Sequence, residues 1–151
     1  MPVEFETMTD GAAAADVLRM MDGLYADDAA VDRGRFALTI VRLLTEPERG
    51  RIVLFKQDGA VRGYGLLIPY WSNEFGGTLL FVDELFVDDA FRGQGIAKSF
   101  LAHVADQRPY HAVALALEVS PQNPRARSLY ESAGFEQRHP DMMTRRLTPA
   151  V

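Results

Sequence analysis

Two adjacent acidic residues near the middle of the chain are the first candidates for chemistry. Asp83 and Glu84 interrupt an otherwise apolar, β-branched run from Thr78 to Val87, which is typical of a buried strand. A carboxylate in such a run is expected to have a partner or a function, because burying an unpaired charge is costly. Paired carboxylates can remove a proton or hold a cation, so both are candidate catalytic or substrate-binding residues.

A glycine-containing loop, Arg92-Gly93-Gln94-Gly95, follows this run and is a candidate anion site. Its glycines permit positive φ and close approach of a ligand. From Ile96 onward apolar residues recur at helical spacing, so the loop opens a helix whose first N–H groups are unpaired and bind phosphate well. A Walker A loop needs Gly-Lys-Ser/Thr, and a Rossmann loop needs a third glycine where this chain has Lys98, so neither fits.

The elements that must position these residues form a mixed α/β pattern. We predict strands over 3–9, 51–57, from about 60 to 68, 78–87, 112–119, from Phe135, and 142–147. We predict helices from after Asp10, a candidate N-cap, to about 27 or 28, from about 32 to 45, from 96 and over 124–133. Asp58-Gly59 indicates a hairpin, and Pro69 indicates a strand end, edge or bulge. Residues 70–77 are predicted to form a loop whose three aromatic residues either pack on the sheet edge or form a pocket wall. The expected fold is a single domain over 1–151, with a mostly antiparallel sheet, one βαβ crossover and about four helices.

Composition narrows the class of protein. The 151 residues include no cysteine, carry a formal net charge of -5 and contain no apolar run of the ~20 residues that span a bilayer. A signal peptide is not evident, and the three histidines lack metal-ligand spacing. We therefore expect a cytoplasmic protein with no membrane, metal or nucleic-acid partner.

A second patterned segment lies later in the chain. It reads Asn123-x-x-Ala-x-x-Leu-Tyr130-x-x-x-Gly134-Phe, in which Asn123 suits a helix N-cap, Pro124 the first helical turn and Gly134 the residue after the helix. By itself this describes a well-capped amphipathic helix, just as the glycine loop by itself describes an ordinary β–α turn.

Together and in this order, Arg92-x-x-Gly95-x-Ala97 and the Asn123 segment resemble the GNAT family of N-acetyltransferases. The resemblance implies transfer of acetyl from acetyl-CoA to an amine by direct attack, in a fold where two adjacent parallel strands are splayed apart. Arg125 and Arg127 either meet the nucleotide end of acetyl-CoA or are merely solvated, and we favour solvated. The residues that the resemblance places on acetyl-CoA are Leu85, Phe86, Val87, Arg92, Gly93, Gln94, Gly95, Ile96, Ala97, Lys98 and Asn123.

Acetyl transfer to an amine needs three things of the protein. A base must deprotonate the amine, whose pKa is near ~10 in water. A donor such as the N–H of Leu85 or Phe86 must meet the thioester oxygen as it gains charge. An acid must protonate the departing thiolate, and the resemblance assigns this to Tyr130. Since neighbouring strand residues point to opposite faces, only one of Asp83 and Glu84 should face the thioester unless a bulge turns both toward it.

A narrower resemblance covers the run from Gly63 to Val87, which is similar to spermidine/spermine N-acetyltransferases, although those enzymes carry the acidic pair in the order Glu-Asp. It implies that Asp83 is a water-linked base, Glu84 a cation anchor and the acceptor a small cationic amine. The remaining candidate substrate contacts are Tyr25, Trp71, Glu74 and Phe75. A homodimer is a further expectation. The alternatives are a peptide or protein acetyltransferase, acting on N-termini or lysines, and a non-catalytic acyl-CoA-binding module.

Overall fold

The computed structural model describes residues 2–138 and 142–148. The strands are β1 (Glu4–Thr7), β2 (Arg51–Gln57), β3 (Ala60–Ser72), β4 (Gly77–Val87) and β5 (Ala114–Ala116), and the α-helices are α1 (Ala14–Leu24), α2 (Phe36–Thr45), α3 (Ile96–Gln107) and α4 (Pro124–Ser132). Short 3-10 turns lie at Arg33–Arg35, Pro47–Arg49, Asp89–Phe91 and Pro109–His111.

The strands form one sheet in the order β1-β2-β3-β4-β5. The first three pairings are antiparallel, and β4 pairs with β5 in parallel. The β2–β3 hairpin turns through Asp58 (φ 53°) and Gly59 (φ 77°), both left-handed, as a type I′ turn requires. This sheet with four helices confirms the predicted mixed fold.

Each face of the sheet is covered by two helices. On one face, α1 and α2 pack through residues such as Met20 and Ile40 against Tyr64 and Leu66 of the sheet. On the other, Phe100 of α3 packs against sheet residues such as Phe55. A Cβ at Gly65 would overlap the ring of Phe100, so this glycine lets α3 approach β3 closely.

The parallel pair is short, and this creates a gap at one edge of β4. Leu79, Leu80 and Phe81 lie opposite Ala114, Leu115 and Ala116, and the described pairing ends there. Beyond Phe81, β4 continues to Val87 without a strand beside it on that edge in the described chain. The predicted splaying of two parallel strands is therefore present.

Two predicted boundaries differ, and the prediction for Pro69 is confirmed. Asp10 is not the N-cap of α1, because its carboxylate accepts a hydrogen bond from the Ala12 N–H (2.9 Å) in a turn before the helix. The loop predicted for Tyr70–Gly77 is confined to 73–76, since β3 runs through Pro69 to Ser72. Pro69 lies opposite Leu80 beyond the last residue that pairs with β2, so its missing N–H is tolerated at an open edge.

The end of the described chain also differs. The predicted strand 112–119 shortens to Ala114–Ala116, which is half-buried because it lies at the edge of the sheet. The strands predicted from Phe135 and over 142–147 are wrong within 135–138 and 142–148, which are irregular. Met143 and Leu147 are exposed there. A segment becomes a strand only where a neighbouring strand completes its hydrogen bonds.

Candidate active site

A β-bulge in β4 brings the two acids together. Glu84 lies opposite Leu66 and Val82 lies opposite Leu67, so Asp83 is an extra residue without an opposing partner on β3. The bulge shifts the alternation by one residue, and both carboxylates line one cavity beside α2. The structure thus favours the alternative in which both acids face the same side.

This first cavity has a volume of about 440 Å³, within the range of small-molecule sites. It lies between β3, β4 and α2, and its lining combines apolar residues with two acids and two arginines. Its lining residues are Leu38, Thr39, Arg42, Leu43, Arg49, Leu66, Ile68, Asp83 and Glu84.

Glu84 is held by two tyrosine hydroxyls. Tyr25 donates to Oε2 at 2.5 Å, and Tyr64 donates to Oε1 at 2.7 Å. Burial raises the pKa of Glu84, the two hydroxyls oppose that rise and the neighbouring Asp83 charge adds to it. Tyr25 therefore contacts Glu84 but lines neither cavity, and its predicted contact with substrate stays a prediction. Tyr64 was missed, although a fully buried tyrosine needs a partner for its hydroxyl and so signals one.

Asp83 is in a different environment. Its side chain is exposed at the wall of the cavity, yet the surrounding protein desolvates the carboxyl enough to raise its pKa. A carboxylate with a raised pKa is a better proton acceptor near neutral pH. Burial and the nearby Glu84 raise the pKa of Tyr25 and Tyr64, which therefore stay protonated as donors.

A second cavity, of about 490 Å³, opens at the free edge of β4. Of the residues that the resemblance places on acetyl-CoA, all but Gln94 line this cavity. Gln94 is exposed on the loop. The lining residues are Leu24, Leu85, Phe86, Val87, Phe91, Arg92, Gly93, Gly95, Ile96, Ala97, Lys98, Asn123, Arg125, Ala126, Leu129 and Tyr130.

The glycine loop leaves the start of α3 open toward this cavity. Gly93 (φ 76°) and Gly95 (φ 78°) are left-handed, and α3 begins at Ile96 with no side-chain cap in the described chain. Its first backbone N–H groups are therefore available to an anion. Arg92, which also lines this cavity, is held by other partners: its Nε donates to the Val87 carbonyl (2.8 Å) and its guanidinium pairs with Asp89 (2.7 Å).

Arg125 supplies a positive charge to the loop instead. Its Nη2 lies 3.8 Å from the position a Cβ would take at Gly93, and it lines the cavity. Of the two predicted alternatives for Arg125, its exposed side chain fits a solvated one, and its place in the cavity wall fits one at the nucleotide end of acetyl-CoA. Arg127, by contrast, donates to Gln137 (2.8 Å) on the surface of α4.

The backbone of β4 presents donors to the gap at alternate residues. The Asp88 N–H donates to the Arg62 carbonyl at 2.8 Å, one step beyond the pair of Gly63 with Val87. Because hydrogen-bonded and non-hydrogen-bonded pairs alternate in an antiparallel ladder, Phe86 also bonds toward β3. The N–H groups of Leu85 and Val87 then point toward the second cavity. Of the two donors predicted for the thioester oxygen, only Leu85 is oriented for it.

Tyr130 lies on α4 in the wall of the second cavity. Burial raises its pKa, so the hydroxyl stays protonated across the neutral range. The helix that carries it is capped as predicted: the Asn123 side chain accepts from the Ala126 N–H (3.1 Å), and Gly134 after the helix is left-handed (φ 95°).

Trp71, Glu74 and Phe75 line neither cavity. Trp71 lies opposite Thr78, five residues along β3 from Leu66, which is roughly 16 Å at the rise of an extended strand. Glu74 pairs with Arg138 (2.7 Å), whose guanidinium lies 5.3 Å from the Phe75 ring centre. The structure does not bring these three predicted contacts to the acids, because β3 extends the hairpin beyond the site.

A mostly antiparallel sheet whose one parallel pair parts beside a glycine loop is the GNAT acyl-CoA N-acyltransferase fold. The chain belongs to the acetyltransferase (GNAT) family, which matches residues 18–135. It is an acetyl-CoA-dependent N-acetyltransferase.

Solved structures show the same fold. An integron cassette protein from the mobile metagenome of Cole Harbour Salt Marsh is 27% identical, with a TM-score of 0.80 over 97% of this chain and 91% of that one. Aminoglycoside N-acetyltransferase AAC(6')-Iy, in complex with a bisubstrate analogue, is 17% identical, with a TM-score of 0.82 over 98% and 100%. Glucosamine-6-phosphate N-acetyltransferase from Arabidopsis thaliana is 14% identical, with a TM-score of 0.73 over 96% and 99%. Curated protein sequences gave no significant match.

Residues 2–138 and 142–148 contain no group of three or more His, Cys, Asp or Glu side chains arranged to hold a metal ion. Over the same residues, every helix is too short or too polar to cross a bilayer.

Proposed function

We propose that this enzyme acetylates the primary amine of a small cationic molecule bound beside Asp83 and Glu84. The observation that carries the proposal is the bulge in β4. It turns both carboxylates into the first cavity, while the next residue, Leu85, points its N–H into the second cavity. An amine and a thioester would therefore meet at consecutive residues of one strand.

The second cavity fits acetyl-CoA on three grounds. The uncapped start of α3 and the Arg125 guanidinium suit a pyrophosphate. The free edge at Leu85 and Val87 can pair with the amides of pantetheine as a strand would. When bound, acetyl-CoA supplies an activated acetyl group and a thiolate leaving group.

The chain's own residues divide the proton transfers. Asp83, which is exposed to the first cavity, takes the proton from the ammonium directly or through water. Glu84, with each oxygen held by a tyrosine, is fixed in position and anchors the cation. The Leu85 N–H donates to the oxygen that gains charge, and the Tyr130 hydroxyl gives its proton to the leaving sulfur.

The acceptor class follows from the two acids and from the likeness of Gly63–Val87 to spermidine/spermine N-acetyltransferases. It comprises polyamines, diamines and lysine-like amines. The aminoglycoside and glucosamine-6-phosphate enzymes, which share the fold, also act on small amines according to their names.

The test is turnover on a panel of polyamines, diamines, lysine analogues, aminoglycosides, amino acids and peptides. CoA release gives the rate, and product mass gives the site of acetylation. We expect turnover of small amines, strongly reduced in the Asp83→Asn/Glu84→Gln variant and retained in the control Glu48→Gln, which alters an exposed acid outside both cavities. Absence of turnover with every amine, or turnover of peptides alone, would contradict the proposal.

A further inference from the structure

We propose that the acceptor carries an anionic group, a carboxylate or a phosphate, in addition to its amine. This inference rests on the proposed function and narrows its substrate class. It comes from two further charged residues of the first cavity, since Arg42 of α2 and Arg49 of the following 3-10 turn line the same space as the acids.

The two arginines carry an excess of positive charge. Both pair with one carboxylate, Glu46, at 2.5 Å from Arg42 and 3.1 Å from Arg49. Glu46 does not line the cavity. Because the two guanidinium groups share one carboxylate, Arg42, Arg49 and Glu46 together carry one net positive charge.

The two arginines do not neutralise the two acids of the cavity. Among the described ion pairs, neither Arg42 nor Arg49 contacts Asp83 or Glu84. Burial raises the pKa of both acids, and neither Arg42 nor Arg49 is among the groups that shift it. Opposite charges therefore line one cavity without a direct contact, and a dipolar ligand can bridge them.

Most of the remaining lining is apolar. It consists of Leu38, Leu43, Leu66 and Ile68, together with Thr39. A short aliphatic stem would pack on them, with its amine at the acids beside Leu85 and its anionic group at the arginines. A plain diamine or polyamine would instead bring a second cation toward the guanidinium groups, which repel it.

The experiment compares acceptors that differ by one group. Lysine, cadaverine (lysine without its carboxylate) and 6-aminohexanoate (lysine without its α-amine) test the carboxylate, and glucosamine 6-phosphate against glucosamine tests the phosphate. The readout is kcat/KM from CoA release. We expect an anion-bearing acceptor to exceed its matched amine by about tenfold, the usual scale of one charge-assisted contact. The pair with the larger ratio tells carboxylate from phosphate.

Variants connect that preference to the arginines. In the double variant Arg42→Gln/Arg49→Gln the ratio of lysine to cadaverine, or of the phosphate to the plain sugar, should fall toward one. The control is Arg35→Gln, since Arg35 makes a similar exposed ion pair, with Asp32, outside the cavity and should keep the ratio.

Two results would overturn the inference and leave the proposed function standing: a ratio of one or less for both pairs in the unaltered enzyme, or a preference that the double variant keeps. If no amine is turned over, the proposed function fails. Calorimetric binding of the same acceptors in the presence of CoA then decides the inference: tighter binding of the anion-bearing partner that is lost in the double variant supports it, and equal binding overturns it.

Discussion

Replacing Tyr64 by Phe removes one of the two donors to Glu84 and almost nothing else. Tyr64 is fully buried on β3, and its hydroxyl donates to Glu84 Oε1 at 2.7 Å. The ring remains, so packing against the α1 and α2 side is kept. The change therefore isolates the hydrogen bond.

The magnitude depends on the charge of Glu84. A hydrogen bond to an ionised group contributes about 1.5–3 kcal/mol, and one between neutral groups about 0.5–1.5 kcal/mol. Tyr64→Phe should thus lower the free energy of unfolding by about 1 kcal/mol more at pH 8, with Glu84 ionised, than near pH 4.5, with Glu84 mostly protonated.

The sign of the pH dependence follows from the direction of the pKa shift. Burial raises the pKa of folded Glu84 above its ordinary value. Its contribution to stability is therefore fully present below the ordinary glutamate pKa and is lost as pH rises through the folded pKa. Because Tyr64 opposes that rise, its removal raises the pKa further, and the variant should lose more stability over the same rise in pH.

Urea unfolding at both pH values measures the effect, and Tyr110→Phe is the matched control. Tyr110 donates to the Pro47 carbonyl at 2.6 Å, a neutral acceptor, so its loss should cost about the same at both pH values. A Tyr64→Phe cost that does not change with pH would refute the assignment of an ionised Glu84 held by tyrosine.

Three further results are expected at the site. Tyr130→Phe should lower kcat roughly 10²-fold and alter the basic limb of the pH–rate profile, with little change in the calorimetric Kd for acetyl-CoA; an unchanged kcat would remove Tyr130 from the mechanism. Asp83→Asn should act mainly on kcat and Glu84→Gln mainly on the KM of the amine, and if both are silent the base lies elsewhere. Arg125→Gln should weaken acetyl-CoA binding about fivefold at low salt and less at high salt, whereas Arg127→Gln should leave it unchanged; equal Kd values for the two variants would contradict a role for Arg125.

Local patterns in the sequence were sufficient to bring together most of the residues that line the second cavity. The glycines before Ile96 and the capping residues around α4 are requirements of backbone geometry, and such requirements appear directly as residue types. The same holds for the Asp58-Gly59 turn, whose two left-handed residues define the β2–β3 hairpin.

The acceptor side depends on contacts between distant segments, which no local pattern contains. Tyr25 and Tyr64 reach Glu84 across 59 and 20 residues of sequence. Arg42 and Arg49 join the cavity only because α2 packs over β3 and β4. The bulge was one of two alternatives in the sequence, since a regular strand and a bulged one share the same residue pattern until their pairing is known.

The errors also have physical causes. The aromatic loop predicted over 70–77 was a candidate pocket wall, yet its distance from the acids is determined by how far β3 extends through Pro69. Residues 142–147 were predicted to be a strand, and a strand forms only beside a partner that supplies its hydrogen bonds.

Glu84 lines the first cavity and Leu85 the second, and the two cavities share no lining residue. Under the proposed function, recognition of the acceptor and retention of the cosubstrate are therefore separable within one small sheet. Substitutions at Leu38, Thr39 and Arg42, all on one helix, could retarget the enzyme to another amine while the phosphate loop and α4 stay unaltered. Diversification of such an enzyme, in nature or in a mutant library, is expected to concentrate on α2.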